Sequence, residues 1–193
     1  MKLHSILLGA ALVLGSNLSA QGQVLRGKIG DNPTTQTFFL SCTKLPLTST
    51  VLNLNSLVGQ QLEMTVTQLP SGSLNVLTAA PIAKVFDMGN LRLGRADRWQ
   101  ITGSPGEAAG MFLTAFDLTG YLPLGAAGTW LLGPTWLTIA TGQINPLGLL
   151  EVSFQPPNVP QLVGTTWTAQ GARMSTTKGA YFANSDCKVL QQN

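Results

Sequence analysis

The chain predicts an all-β fold, and three observations carry that prediction. Charged residues make up 10% of the 193 positions while Gly (21) and Pro (11) are plentiful; an average globular domain is about a quarter charged. A chain so poor in charge and so rich in turn formers folds as short strands joined by tight turns. Its apolar runs are short and recur at intervals of roughly ten residues. Where the pattern is cleanest, over residues 61–67, Leu62, Met64 and Val66 alternate with Glu63, Thr65 and Thr67. Period two is the period of a strand with one face in a core and the other in water.

The first element is of a different kind. Lys2 and His4 precede an uninterrupted apolar stretch at 6–14, and Gly15-Ser16-Asn17-Leu18-Ser19-Ala20 follows it. A positive end, a short apolar helix and a small-residue end are the order of a secretory signal peptide. A span of the ~30 Å hydrocarbon layer needs about 20 residues, and this stretch is shorter. Residues 1–20 are therefore expected to be a signal helix cut after Ala20, although Leu18 is larger than the residue usual three positions before a cut. The exported remainder is expected to be secreted or periplasmic, with no transmembrane segment after cleavage. Loss of Lys2 lowers the formal net charge from +3 to +2, too little to imply a polyanionic partner.

Residues 21–86 are expected to form a small β module. Strand-like runs lie at 24–29, 37–42, 51–54, 61–67, 74–79 and 82–86, separated by turn signals such as Asp31-Asn32-Pro33 and Pro70-Ser71-Gly72. The passage Leu52-Asn53-Leu54-Asn55-Ser56-Leu57-Val58-Gly59-Gln60 leads directly into the alternating strand. It resembles the loop, Val-Gly-Gln or Val-Gly-Lys, strand passage of small bacterial OB-like barrels, which implies a five-stranded Greek-key barrel. An immunoglobulin-like half-sandwich is the alternative for the same runs.

Residues 87–98 are expected to be a linker. Met88-Gly89-Asn90 reads as a turn, and Arg92, Arg95 and Arg98 gather in seven residues. Gly94 among them argues for irregular backbone rather than a helical turn. A solvated face in which Asp87 and Asp97 pair with these arginines explains them better than a nucleic-acid surface. Single-strand binding needs exposed aromatics interleaved with the basic residues, and residues 24–86 offer only Phe38, Phe39 and Phe86.

Residues 99–193 are expected to form an antiparallel β-sandwich, with strands at 99–103, 111–118, 129–132, 137–140, 149–154, 165–171 and 181–190. The charge-free segment 118–150 is broken by Pro123, Gly125, Gly128, Gly133 and Pro134, so it reads as strand, loop and strand rather than a spanning helix. Pro156-Pro157-Asn158-Val159-Pro160-Gln161-Leu162-Val163-Gly164 leads into a strand ending near Gln170, and Ala183-Asn184-Ser185 follows. This resembles the C-terminal β-sandwich modules of bacterial secreted proteins. The resemblance implies a fold and an export route but no activity.

The chemistry is constrained chiefly by what is missing. His4 is the only histidine, and it leaves with the signal segment, which removes His-dependent hydrolases and His-ligated metal sites. Cys42 and Cys187, the only cysteines, are expected to form a disulfide in an oxidising compartment, with two buried thiols as the alternative. Eight acids, Asp31, Glu63, Asp87, Asp97, Glu107, Asp117, Glu151 and Asp186, could in principle supply the carboxylate pair of a glycosidase or lyase. Most sit near turns or on water-facing strand positions, where structural roles account for them. No cofactor and no metal site is expected; Asp31-Asn32 and Asp87 with Asn90 fit turn chemistry better than a calcium loop.

Trp99, Trp130, Trp136 and Trp167 all fall in the second module. Trp130 and Trp136 flank the Gly133-Pro134 turn, which can bring an indole to the surface as a platform for a sugar ring. The expectation is therefore a secreted, non-enzymatic structural or adhesive protein that engages polysaccharide or protein at or beyond the cell surface. Carbohydrate binding through Trp130 and Trp136 is the first alternative, and a carboxylate-dependent glycosidase or lyase the second.

Overall fold

The structure is a computed structural model that describes residues 22–115 and 119–192. The expected signal helix at 1–20, with His4, lies outside the described residues, as does Asp117. The described chain is all-β.

Strands β1 (Gln23–Asn32), β2 (Thr37–Leu40), β3 (Pro46–Thr48), β4 (Gln61–Gln68) and β5 (Leu74–Pro81) close into a barrel in the order β1-β2-β3-β5-β4. All pairings are antiparallel except β3 with β5. The alternation in β4 does what its period requires, since Leu62, Met64 and Val66 are fully buried. Each such side chain contributes about 1.5–3 kcal/mol relative to exposure. Inward-facing Gly27 lies between Leu25 and Ile29, where a Cβ would come within 2.6 Å of Leu40 Cδ1. The barrel closes tightly because that position carries no side chain.

The expected strand at 51–54 does not form. Ser49 Oγ accepts hydrogen bonds from the Val51 and Leu52 amides at 3.2 and 2.9 Å, and the Asn53 side chain accepts from the Asn55 amide at 3.1 Å. These local bonds replace a ladder, and the chain turns into a 3₁₀ segment, Leu54–Leu57, whose Leu54 is buried in the barrel core.

Among the described residues nine further strands follow: β6 (Phe86–Asp87), β7 (Asp97–Thr102), β8 (Ala108–Ala115), β9 (Thr119–Pro123), β10 (Thr129–Leu132), β11 (Leu137–Gln143), β12 (Leu149–Phe154), β13 (Thr166–Ser175) and β14 (Gly179–Val189). Seven of these form a three-stranded sheet, β12-β7-β6, and a four-stranded sheet, β11-β8-β13-β14. The two sheets enclose a core that includes Phe86, Trp99, Ile101, Met111, Leu113, Trp167 and Ala169. Segment 87–98, expected as a linker, supplies Met88, Leu91 and Leu93 to that same core. Alternate apolar residues among the arginines carry the burial there, while Gly94, at φ +63°, makes the turn. The expected pairing of the arginines with Asp87 is replaced by Lys84, which meets it at 2.7 Å, and Arg98 meets Glu151 at 3.3 Å, while Arg95 acts electrostatically on Asp97 as expected.

One run expected in the sandwich lies elsewhere. β10 pairs with β9, and this hairpin packs between the four-stranded sheet and the barrel, with Leu131 fully buried in the barrel's core cluster. Buried Gln170 holds it there. Its Oε1 accepts from the Leu131 amide at 2.9 Å, and its Nε2 donates to the Thr129 and Ala183 carbonyls at 2.8 and 3.0 Å. On the barrel side the Thr129 hydroxyl donates to the Val24 carbonyl at 2.7 Å, and the Tyr121 hydroxyl donates to Gln23 Oε1. Burial pushes the Tyr121 phenol up to about 12. Cys42, in the β2–β3 connection, is disulfide-bonded to Cys187 in β14, with Cα atoms 5.3 Å apart. No helix among the described residues is long and apolar enough to cross a membrane.

Candidate functional site

The four tryptophans divide into two pairs. Trp99 and Trp167 belong to the sandwich core; Trp99 lies edge-on to Phe86 and tilted against Phe154. Trp130 of β10 and Trp136, just before β11, meet outside that core, with ring centroids 5.5 Å apart at 72°. Phe112 of β8 contacts both, its centroid 5.2 Å from each, and Phe182 of β14 lies 5.8 Å from Trp130.

The sequence builds this cluster from strand alternation. Met111 and Leu113 face the sandwich core, so Phe112 between them faces out. Gly110, in β8, leaves room for the Phe112 ring, which a Cβ there would approach within 2.8 Å. The Gly133-Pro134 turn then brings Trp136 back over Phe112, and the Thr114 hydroxyl fixes the turn by donating to the Thr135 carbonyl at 2.9 Å. Edge-to-face contacts of this kind are each worth about 0.5–1.5 kcal/mol beyond the area they bury. Trp136 nonetheless keeps 38% of its surface exposed, and Leu122, cross-strand neighbour of Trp130, keeps 48%. The outcome is a buttressed aromatic surface on a rigid sheet face.

Most of the acids described are held by cations or backbone amides. Glu63 binds Arg26 at 2.7 Å and Glu107 binds Arg173 at 3.0 Å. Asp97 accepts from the Arg98 and Asn90 amides at 2.7 and 2.9 Å. Those amides, the Arg98 N–H foremost, hold its carboxyl below the ordinary range. Asp87 and Asp186 come together, but around Lys84 Nζ, at 2.7 and 2.8 Å. Burial pushes the Asp87 carboxyl up; the Lys84 ammonium more than reverses that and leaves it below the ordinary range. A general acid for glycoside cleavage needs the opposite displacement. Asp31-Asn32 makes a turn in which Asn32 Oδ1 accepts from the Thr34 amide at 3.0 Å.

Sequence reasoning missed a second feature. Arg26, Arg173, Lys178 and Tyr181 line a cleft of about 230 Å³ between barrel and sandwich. Arg173, Lys178 and Tyr181 belong to the β13–β14 hairpin, in which Arg173 pairs across the ladder with Tyr181, while Arg26 comes from β1, far away along the chain. No protein-family model, curated protein or solved structure matches the chain.

Proposed function

We propose that this is a non-catalytic binding protein of the extracytoplasmic space, an adhesive or structural component that contacts its ligand through Trp130 and Trp136. The observation that carries the reading is the half-exposed Trp136 indole, held edge-on by Phe112 and Trp130 on a sheet face. The ligand class that suits it is polysaccharide. A pyranose ring presents C–H groups that stack on an indole, and a pre-ordered indole loses little entropy on binding. Two supports are independent of the patch. A disulfide is at home in an oxidising compartment, and the barrel order β1-β2-β3-β5-β4 with its one parallel pair agrees with an OB-like module ahead of a sandwich.

A glycosidase or lyase reading is disfavoured by the acids themselves. Of those described, Glu63, Asp87, Glu107, Glu151 and Asp186 are each paired with a cation.

The test is titration of the purified protein with a panel of soluble glycans, followed by tryptophan fluorescence and calorimetry. Trp136→Ala is expected to weaken binding of a responding glycan at least about tenfold, or about 1.4 kcal/mol. Folding stability should fall by about 1–3 kcal/mol, because the edge contacts with Phe112 and Trp130 go with the indole, and binding is therefore measured at a temperature where the variant is fully folded. Unchanged fluorescence across the panel, or turnover of a glycan, overturns the proposal.

A further inference from the structure

The cleft between barrel and sandwich carries a second inference, independent of the aromatic patch. Its volume of about 230 Å³ equals several water molecules, enough for one small anionic group. Three cations face it, Arg26, Arg173 and Lys178, and the nearby carboxylates are Glu107 and Glu63. A positive charge is left over.

The cations differ in how far they are already used. Arg26 is buried, and its guanidinium serves the fold. Nε donates to Glu63 at 2.7 Å, and Nη1 donates to the Ala127 and Phe182 carbonyls at 2.9 and 3.1 Å. Gly128 makes way for it, since a Cβ there would fall 2.5 Å from Arg26 Nη1. Arg173 is far less occupied. Its Nη1 donates to Glu107 Oε2 at 3.0 Å, while its Nε is buried without a protein partner. Both guanidiniums stack on the Tyr181 ring, with Cζ at 3.9 Å for Arg26 and 4.5 Å for Arg173 from its centroid. Stacking holds a guanidinium by its face and leaves its N–H edge to bind. Lys178 is exposed at the rim, on a turn tied by its own amide donating to Ser175 Oγ at 3.3 Å, and has no ion pair among the described residues.

Like charges gathered at a partly enclosed site repel unless something negative joins them, and a guanidinium edge matches an oxyanion in shape and charge. We propose that this cleft is an oxyanion-binding site, which takes the carboxylate, sulfate or phosphate group of a ligand on Arg173 and Lys178, with Arg26 and Glu107 fixing its walls. The same chemistry serves a free inorganic anion and an acidic sugar.

Calorimetric titration of the full chain at low ionic strength separates these sources. Sodium sulfate, sodium phosphate and sodium glucuronate are titrated separately against a chloride background. Saturable binding of at least one is expected, with a Kd of about millimolar or tighter. It should weaken at least tenfold in Lys178→Glu, whose exposed position leaves folding intact, and change less than threefold in the control Lys44→Glu, which alters net charge equally but lies near Cys42, at the Cys187 end of β14 rather than the Tyr181 end that lines the cleft. Binding of sulfate or phosphate alone assigns the site to a free tetrahedral anion, and binding of glucuronate assigns it to a carboxylated sugar. Trp136→Ala leaves this binding unchanged, which separates its outcome from that of the glycan test. No saturable binding by any of the three, or equal losses in the two lysine variants, overturns the proposal.

Discussion

Two buried amides show how a single residue organises the fold. Gln170 satisfies its hydrogen bonds entirely within the protein, on Leu131, Thr129 and Ala183. Asn184 does the same for the start of β6: its Oδ1 accepts from the Val85 and Phe86 amides at 3.1 and 3.2 Å, and its Nδ2 donates to the Phe86 carbonyl at 3.0 Å. Both positions are conspicuous in the sequence, yet a polar residue in a strand reads as water-facing until a second layer is known to cover it. Replacing Gln170 with Leu leaves the Leu131 amide and two carbonyls without partners in a dry site. The expected loss is about 3 kcal/mol, measured by equilibrium denaturation, and a loss below about 1 kcal/mol would show that water or a backbone shift takes over those bonds.

At the scale of elements, β6 is the shortest of the described strands and is also held from outside the ladder. It has two residues, and the chain before it leaves the barrel at Pro81 to cross to the sandwich, so the expected strand at 82–86 shrinks to its end. Lys84, in that crossing, binds Asp87 beside it and Asp186 on β14. Burial alone would lower the Lys84 ammonium, but the Asp186 and Asp87 carboxylates outweigh it and raise it above the ordinary lysine value. The signs then define a window. The depressed Asp87 contributes stability that is present above the ordinary carboxylate value and is lost as pH falls through its lowered one. The raised Lys84 contributes stability that is present below the ordinary lysine value and is lost as pH rises through its raised one. Lys84→Met is expected to cost only about 0.5–1 kcal/mol at neutral pH, because the ammonium is partly exposed and screened. It should also flatten the fall in stability below about pH 4, and thermal melts of both proteins between pH 3 and 7 check this.

For the whole molecule the question is whether barrel and sandwich unfold together. Several ties join them, among them the Cys42–Cys187 disulfide, the Arg26 guanidinium on the Phe182 carbonyl, the Thr129 hydroxyl on the Val24 carbonyl, and Leu131 in the barrel core. The disulfide spans 145 positions, and closing so long a loop stabilises by up to about 5 kcal/mol in the chain-entropy description. The double variant Cys42→Ser, Cys187→Ser should therefore lose about 3–5 kcal/mol yet keep one cooperative transition, because the other ties remain. Tryptophan fluorescence reports the sandwich and the β9–β10 hairpin, and circular dichroism reports the barrel as well. Coincident curves support a single unit, and separated curves would show that the disulfide alone couples the two parts.

The sequence by itself determined the all-β class and most of the strands. Those features depend on alternation, turn residues and local charge, which act over a few positions. Only tertiary structure decided that β10 leaves the sandwich for the barrel, that the 87–98 segment is core, and that Arg26 and Arg173 share the ring of Tyr181. Each of these joins residues about a hundred or more positions apart, or depends on which side of a layer is covered. Local pattern carries no record of the surface a side chain will meet once the sheets have packed.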